Sequence, residues 1–341
     1  MEPIRIAQLG CGYWGPNLLR TFDSLSGCRL TTVVELSEER RKFIQKTLPK
    51  IDVVDDWRKI GDVDAVIIAT PAETHYGLAK AFLEAGKHVF VEKPLAMRTE
   101  EAIELGEIAE REKRVLMVGH TFLYNPAVNY LKEEMRNTVG ELYYMNSRRL
   151  NLGIVRKDIN VWWNLAPHDV SIFLYLMDHE LPESISVRAT SYLQPDTEDV
   201  AFAVLKWKNK VTASIHVSWL DPGKVRQMTL VGSRKMIVYD DISDEKVKIY
   251  DKGIDLPSPK HYDTPPNLNF SYRSGDIYIP KISTAEPLKL EAEHFLKCIL
   301  ERKTPLTGPQ HGIDVVAILE AGQRSITEDG AVQKITLLAN R

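Results

Sequence analysis

Gly10-Cys11-Gly12-Tyr13-Trp14-Gly15 decides the fold of this 341-residue chain. The stretch follows an apolar run at residues 4–9 and opens a helix-like one that begins Pro16-Asn17-Leu18. Gly10 allows a tight turn off the strand, Gly12 lets the backbone approach a diphosphate with no Cβ between, and Gly15 permits close packing of helix on strand. The helix start, with Tyr13 and Trp14 just before it, then offers unpaired N–H groups to an anion. A second β-like run at residues 30–34 ends in Glu35, 20 residues after Gly15, where a carboxylate can bond the diol of an adenosine ribose. A carboxylate there repels a 2′-phosphate, so NAD is expected rather than NADP, with Arg40 and Arg41 read as a solvated helix face.

Outward from that turn, strand and helix signals alternate. Residues 64–69, 88–92 and 115–119 read as strands, separated by helical patterns near 74–85 and 99–113. This rhythm predicts a doubly wound parallel sheet, with ligands at the carboxyl ends of its strands. Past residue 125 the pattern changes. One helix at 126–136 is followed by alternating runs at 141–150, 184–193, 199–207, 211–220, 225–231, 236–239 and 246–250, with a hairpin signal at Asn209-Lys210. The expectation is an α/β chain with a Rossmann domain over residues 1–124, then an α+β domain over 125–341 built on an open, mostly antiparallel sheet. A Pro-rich polar loop is expected at 253–287, before closing helices at 288–302 and 312–327.

The formal net charge of −3 gives no basic footprint for nucleic acid. No apolar run approaches the length of a membrane span, and the chain opens at a strand with no signal peptide before it, so a cytoplasmic protein is expected. Cys11, Cys28 and Cys298 are odd in number and widely spaced, which argues against a disulfide framework and against a zinc cluster.

Three further segments fall where this fold puts an active site. Ala69-Thr70-Pro71-Ala72-Glu73-Thr74-His75 follows one strand, Glu92-Lys93-Pro94 ends another, and Trp162-Trp163-Asn164-Leu165-Ala166-Pro167-His168-Asp169 begins a helix in the second half. Oxidising a secondary alcohol needs a group that titrates near neutrality to take the proton and a cation to stabilise the developing alkoxide. A histidine and a partly desolvated lysine supply these. Asn164 and His168, four residues apart, share one helix face.

With these motifs and the closing helix at 314–321, the chain resembles the Gfo/Idh/MocA (glucose-fructose oxidoreductase / inositol dehydrogenase) family over essentially its whole length. The resemblance implies a two-domain NAD-dependent sugar or cyclitol dehydrogenase that forms a homodimer or homotetramer through its C-terminal sheet. It also implies that Lys93 lies beside the nicotinamide and the reacting hydroxyl. The family's usual Asp-x-x-x-His pair falls on Asn164 and His168; an amide cannot take a proton, so acid/base work passes to His168 and Lys93. Thr70, Pro71, His75, Glu92 and Trp163 are expected on the cofactor side, and His120, Tyr124 and Arg149 on the substrate side, with no metal. The Trp-rich stretch and the Gly-Tyr-Trp-Gly-Pro-Asn turn look similar to members acting at the 3-hydroxyl of UDP-N-acetylglucosamine or its uronate. Arg148, Arg149, Arg156 and Lys157 stand as candidates to meet a diphosphate, or as a solvated rim. The alternatives are a free-sugar or inositol dehydrogenase and a non-catalytic, ligand-sensing regulator.

Overall fold

A computed structural model describes residues 2–255 and 270–337. The first sheet contains β1 (Ile4–Leu9), β2 (Cys28–Val34), β3 (Asp52–Val54), β4 (Ala65–Ile68), β5 (His88–Glu92) and β6 (Leu116–Gly119), in the order β3-β2-β1-β4-β5-β6, with every pair parallel. That order is the one of dinucleotide-binding folds, with the topological switch between β1 and β4. The strands read as near-continuous apolar runs because helices cover both faces: all four residues of β4 are buried. The crossing helices are α1 (Gly15–Asp23), α2 (Glu38–Thr47), α3 (His75–Glu84) and α4 (Thr99–Arg111), and α5 (Pro126–Asn137) leads out of the sheet.

The second sheet holds nine strands: β7 (Leu142–Leu152), β8 (Ser184–Thr190), β9 (Val200–Lys206), β10 (Thr212–Ser218), β11 (Leu220–Gly232), β12 (Met236–Asp240), β13 (Val247–Asp255), β14 (Ser271–Tyr278) and β15 (Gln333–Lys334). Pairing is antiparallel except where β7 lies parallel to β10. The parallel pair arises because α6 (Val161–Leu176) intervenes after β7 and covers one face of the sheet. β9 alternates buried Ala201, Ala203 and Leu205 with exposed Phe202 and Val204, so the opposite face is open. The hairpin forms at Asn209-Lys210, where Lys210 takes φ +70°.

Two elements differ from the sequence expectation. The region read as one long loop contains β14, whose residues are almost all exposed; pairing to β13, with Arg273 bridging to Asp251 and Asp255, holds a strand too polar for an apolar pattern to reveal. Residues 256–269 of that loop lie outside the described residues. Near the end, α7 (Pro287–Glu301) is followed by α8 (Pro309–Thr327), which begins before Gly312. Gly312 is an interior position: a Cβ there would come within 2.8 Å of Leu95 and Val118. Both helices return to the first sheet. Phe295 of α7 meets Phe22 of α1 and Phe90 of β5 edge-on, with centroids 6.3 and 5.7 Å away, and the Val118 amide of β6 donates to the Thr307 carbonyl just before α8. Among the described residues, no helix is long and apolar enough to cross a membrane.

Candidate active site

At the end of β1, Gly10 has φ +87°, and a Cβ there would strike the Ala69 carbonyl oxygen at 2.5 Å. Gly15 is similarly closed by the Gly10 carbonyl, 2.7 Å from an added Cβ. Gly12 differs: the nearest atom to an added Cβ is Arg40 Nη1 at 3.7 Å, so the backbone stands open on that side. Two glycines therefore close the strand–helix corner, and the third leaves an approach for a ligand. Gln8, fully buried, donates from Nε2 to the Gly10 and Gly15 carbonyls at 3.0 and 2.9 Å and fixes the turn.

The first turn of α1 has no side-chain cap, whereas α2 caps itself with Ser37 and carries Glu38 and Glu39 in its first turn. An uncapped helix start beside an open glycine suits a diphosphate. Glu35 is 8 % exposed, and its two carboxylate oxygens accept from Cys11 N–H and Ser37 N–H, each at 2.9 Å. It thereby ties β2 to the turn. Arg41 donates to the Glu35 and Leu36 carbonyls, which gives it a local task beyond a solvated face.

The next two strand ends are locked together by His75. Its Nδ1 lies 2.7 Å from the Pro94 carbonyl oxygen and its Nε2 2.9 Å from that of Thr70. Burial pushes this imidazole down from its ordinary range, so the neutral ring donates to one of the two carbonyls and sits against the other, and both nitrogens face loop backbone. Thr70 and Thr74 pair through their hydroxyls at 2.6 Å beside Pro71.

From the end of β5, Lys93 crosses to α6 and donates from Nζ to the Asn164 carbonyl at 2.7 Å. Pro167 within α6 has no N–H for the helical ladder, so the carbonyl four residues back, that of Trp163, lacks its helical donor. Burial holds the Lys93 ammonium below the usual lysine range, with Arg156 and Arg149 adding to the effect and Glu92 opposing it. Glu92 is pushed up by burial against the pull of Lys93 and a hydrogen bond from Trp14. Tyr13, by contrast, is 82 % exposed at the lip of the turn.

His168 lies one turn beyond Asn164. Burial, then the charges of Lys93 and Arg149, hold it well below the ordinary histidine range, so the ring is neutral at pH 7. Its Nδ1 is enclosed without a protein partner, and Phe122 packs against the ring with centroids 5.1 Å apart. The Asn164 side chain accepts from Trp219 Nε1 at 3.3 Å through Oδ1. His120 approaches the same group: the Lys93 charge adds to burial in holding it down to about 3, and it in turn helps depress His168.

Other sequence candidates fall elsewhere. Arg149 is buried, binds Asp169 through Nε and Nη2 at 2.8 and 3.2 Å, and lays its guanidinium on Phe122. It is an internal ion pair supporting the His168 helix, not a rim cation. Arg148, next along β7, is exposed and points to the opposite face. Arg156 pairs with Asp158 near the surface. Tyr124 turns its hydroxyl to Thr307 at 3.1 Å, away from Lys93 and into packing against α7. Trp163 donates from Nε1 to Gln323 of α8 and lines a cavity of about 540 Å³ with Met97, Asn160 and Glu320.

The sequence reading missed several groups. Glu291 of α7 is fully buried, accepts from the Thr121 hydroxyl at 2.7 Å and is pushed well up by burial and by Glu92. It occupies a core position of the stripe Leu288, Ala292 and Phe295, and a carboxylate on an apolar stripe was the available signal. On the second sheet Tyr239 donates to Asp241 at 2.9 Å, and Arg226, itself 3.5 Å from Asp241, bears on His168. Strand alternation gave no sign of these.

Residues 4–120 match the family profile described as an oxidoreductase family with an NAD-binding Rossmann fold, and residues 153–238 match the C-terminal domain of the same Gfo/Idh/MocA group. A UDP-N-acetylglucosamine 3-dehydrogenase of Acidithiobacillus ferrooxidans is 28 % identical over 260 residues, 74 % of this chain and 79 % of that protein. The scyllo-inositol 2-dehydrogenase (NAD(+)) of Bacillus subtilis is 25 % identical over 94 % of this chain and 92 % of its own length. The solved structure of the Acidithiobacillus enzyme superposes with a TM-score of 0.80 at 23 % identity, covering 96 % of this chain and 99 % of that one.

Proposed function

Because this chain belongs to the Gfo/Idh/MocA oxidoreductases and carries their NAD-binding Rossmann domain, we propose that it oxidises a secondary hydroxyl of a nucleotide-linked amino sugar, UDP-N-acetylglucosamine or its uronate at the 3-hydroxyl. The observation that carries this reading is the bond from Lys93 Nζ to the Asn164 carbonyl, which joins the β5 end to the His168 helix. The relative that acts on UDP-N-acetylglucosamine supports the sugar class. Arg156, beside Lys157 in the loop after β7, pairs with Asp158 and adds positive charge toward Lys93; in this reading the two cations meet the diphosphate.

In this reading Gly12 and the first turn of α1 hold the cofactor's diphosphate, and Glu35 its adenosine ribose. NAD supplies the hydride acceptor. Neutral His168 takes the hydroxyl proton, Lys93 stabilises the negative charge that develops on oxygen, and Asn164 fixes the hydroxyl without titrating. His75 and the Arg149–Asp169 pair hold these groups in place. The protein is cytoplasmic and associates as a homodimer or homotetramer through the open face that presents Phe202 and Val204.

Following NADH formation with UDP-N-acetylglucosamine, its uronate, myo-inositol and scyllo-inositol tests the proposal. A kcat/KM at least about tenfold higher, ~1.4 kcal/mol of transition-state preference, is expected for a nucleotide sugar. Preference for an inositol overturns the substrate, and tighter binding of NADP than NAD overturns the role of Glu35.

A further inference from the structure

The cavity of about 540 Å³ beside Trp163 adjoins both reacting elements: Met97 comes four residues after Lys93, and Trp163 directly precedes Asn164. Its volume falls in the range that takes a small organic ligand. Asp158, which pairs with Arg156, also lines it. From α8 come Glu320, Gln323 and Arg324, spaced i, i+3 and i+4 and so on one face of the helix. Their neighbours Leu319, Ala321 and Gly322 are buried in the core, so the polar stripe is the part of α8 given to the cavity.

Hydrogen bonds within this wall determine what it presents. Gln323 Oε1 accepts from Trp163 Nε1 at 3.1 Å and from Asn160 Nδ2 at 2.9 Å, which sets the amide and leaves Nε2 as its donating end. Glu320 Oε2 accepts from the Thr99 amide at 3.1 Å and from the Thr99 hydroxyl, which leaves Oε1 as an acceptor. Arg324, exposed, adds a second donor. Two donors and one acceptor within one helical turn are the complement of a cyclic imide, whose edge carries two carbonyl oxygens and the N–H between them. The charges narrow the choice further. Asp158, Glu320 and Glu328 place three carboxylates on the wall against the one guanidinium of Arg324. A diphosphate is repelled there, and a neutral ring is not.

We propose that this cavity is the nucleobase subsite of the substrate and that it selects a uracil-type imide. The inference rests on the nucleotide-sugar reading. With the reacting hydroxyl at Lys93 and His168, the base lies against Trp163 and Met97. Its imide N–H donates to Glu320 Oε1, and its carbonyl oxygens accept from Gln323 Nε2 and Arg324. The diphosphate stays outside the cavity with Arg156 and Lys157. Cytosine has a lone pair in place of the imide N–H, which would face the Glu320 carboxylate with no proton between them; adenine fails in the same way.

The test is calorimetric titration of the full chain with UDP, CDP and ADP, with NAD held at saturation so that the dinucleotide cleft is filled. Turnover of UDP-N-acetylglucosamine and of scyllo-inositol is followed in parallel. In the unaltered protein UDP binds at least about tenfold more tightly than CDP or ADP. Gln323→Glu keeps the acceptor for Trp163 and Asn160 and loses the donor, so UDP weakens about tenfold while the Kd for NAD is unchanged. Glu320→Gln keeps the acceptor for Thr99 and puts an amide N–H in place of the second carboxylate oxygen. UDP then weakens, CDP tightens, and the preference between them disappears or reverses; a purely structural role for Glu320 would weaken both alike. Absent UDP binding, equal affinity for UDP and CDP in the unaltered protein, or a preference that neither variant moves overturns the subsite, and turnover of the UDP-sugar beside that result leaves the substrate reading standing. If Gln323→Glu fails to fold, Glu320→Gln decides. Selective UDP binding in a protein that oxidises only scyllo-inositol overturns the substrate reading and leaves the cavity a uracil site.

Discussion

In the proposed reading, the nucleotide end and the substrate end of this site are built differently. Around the β1–α1 turn, recognition rests on peptide groups within one short stretch: Gly10, Gly12, Gly15 and the uncapped start of α1, braced by Gln8 and Glu35. At the substrate end, single side chains arrive from β5, the β6 loop, α6, β7 and β11, separated by more than a hundred residues. Backbone recognition is compact in sequence and tolerant of side-chain change. Side-chain chemistry is dispersed, and each contributor depends on distant packing.

The largest effect that separates the two ends is expected for Lys93→Ala. Its kcat should fall about 10²–10⁴-fold, the range for losing a general acid/base or charge-stabilising group, while the Kd for NAD changes less than about threefold. Parallel kinetics and fluorescence titration measure both, and an equal loss of NAD affinity would erase the distinction.

Arg149→Ala comes next. It leaves Asp169 buried with Ser147 as its remaining side-chain partner, a loss of about 3–5 kcal/mol of stability, visible as a lower urea midpoint. Pairing it with Asp169→Leu should recover much of that loss; if it does not, the pair does not support α6 by charge compensation. Glu35→Ala removes the ribose acceptor together with the bonds to Cys11 and Ser37, so NAD should bind about tenfold more weakly and NADP should change less. Equal weakening of both cofactors would make Glu35 purely a brace for the turn.

The smallest effect is expected at Asn164→Asp, since aspartate can still accept from Trp219. The optimal rate should stay within about threefold, but a carboxylate beside His168 favours the imidazolium. With the neutral ring as the proposed base, the acidic limb of the pH–rate profile is expected to move to higher pH. An unmoved limb would separate Asn164 from the proton acceptor.

The same contrast explains what the sequence disclosed. The six parallel strands and the glycine turn could be read directly, because strands buried on both faces are continuous apolar runs and a positive φ demands glycine at Gly10. Lys93 and His168 could be placed at a strand end and a helix start, since fold topology dictates where ligands go. Long-range pairing hid the rest. Arg149 and Arg148 are indistinguishable until the register of β7 assigns one to the interior, and Tyr124 looks like a pocket residue until Thr307 takes its hydroxyl. β14 is polar because it lies at an edge, and His75 is occupied by two carbonyls from separate loops.

The return of α7 and α8 to the first sheet bears on how the chain is made. Phe22 and Phe90 emerge from the ribosome early, but Phe295, which packs on both, follows some two hundred residues later. Until then the nascent sheet carries a bare aromatic face, the kind of surface that drives self-association of partly made chains. A fragment ending at residue 124 would keep that face exposed permanently. Adding residues 287–327 as a separate peptide should rescue its solubility, which makes the final segment of the chain an intramolecular chaperone for the first.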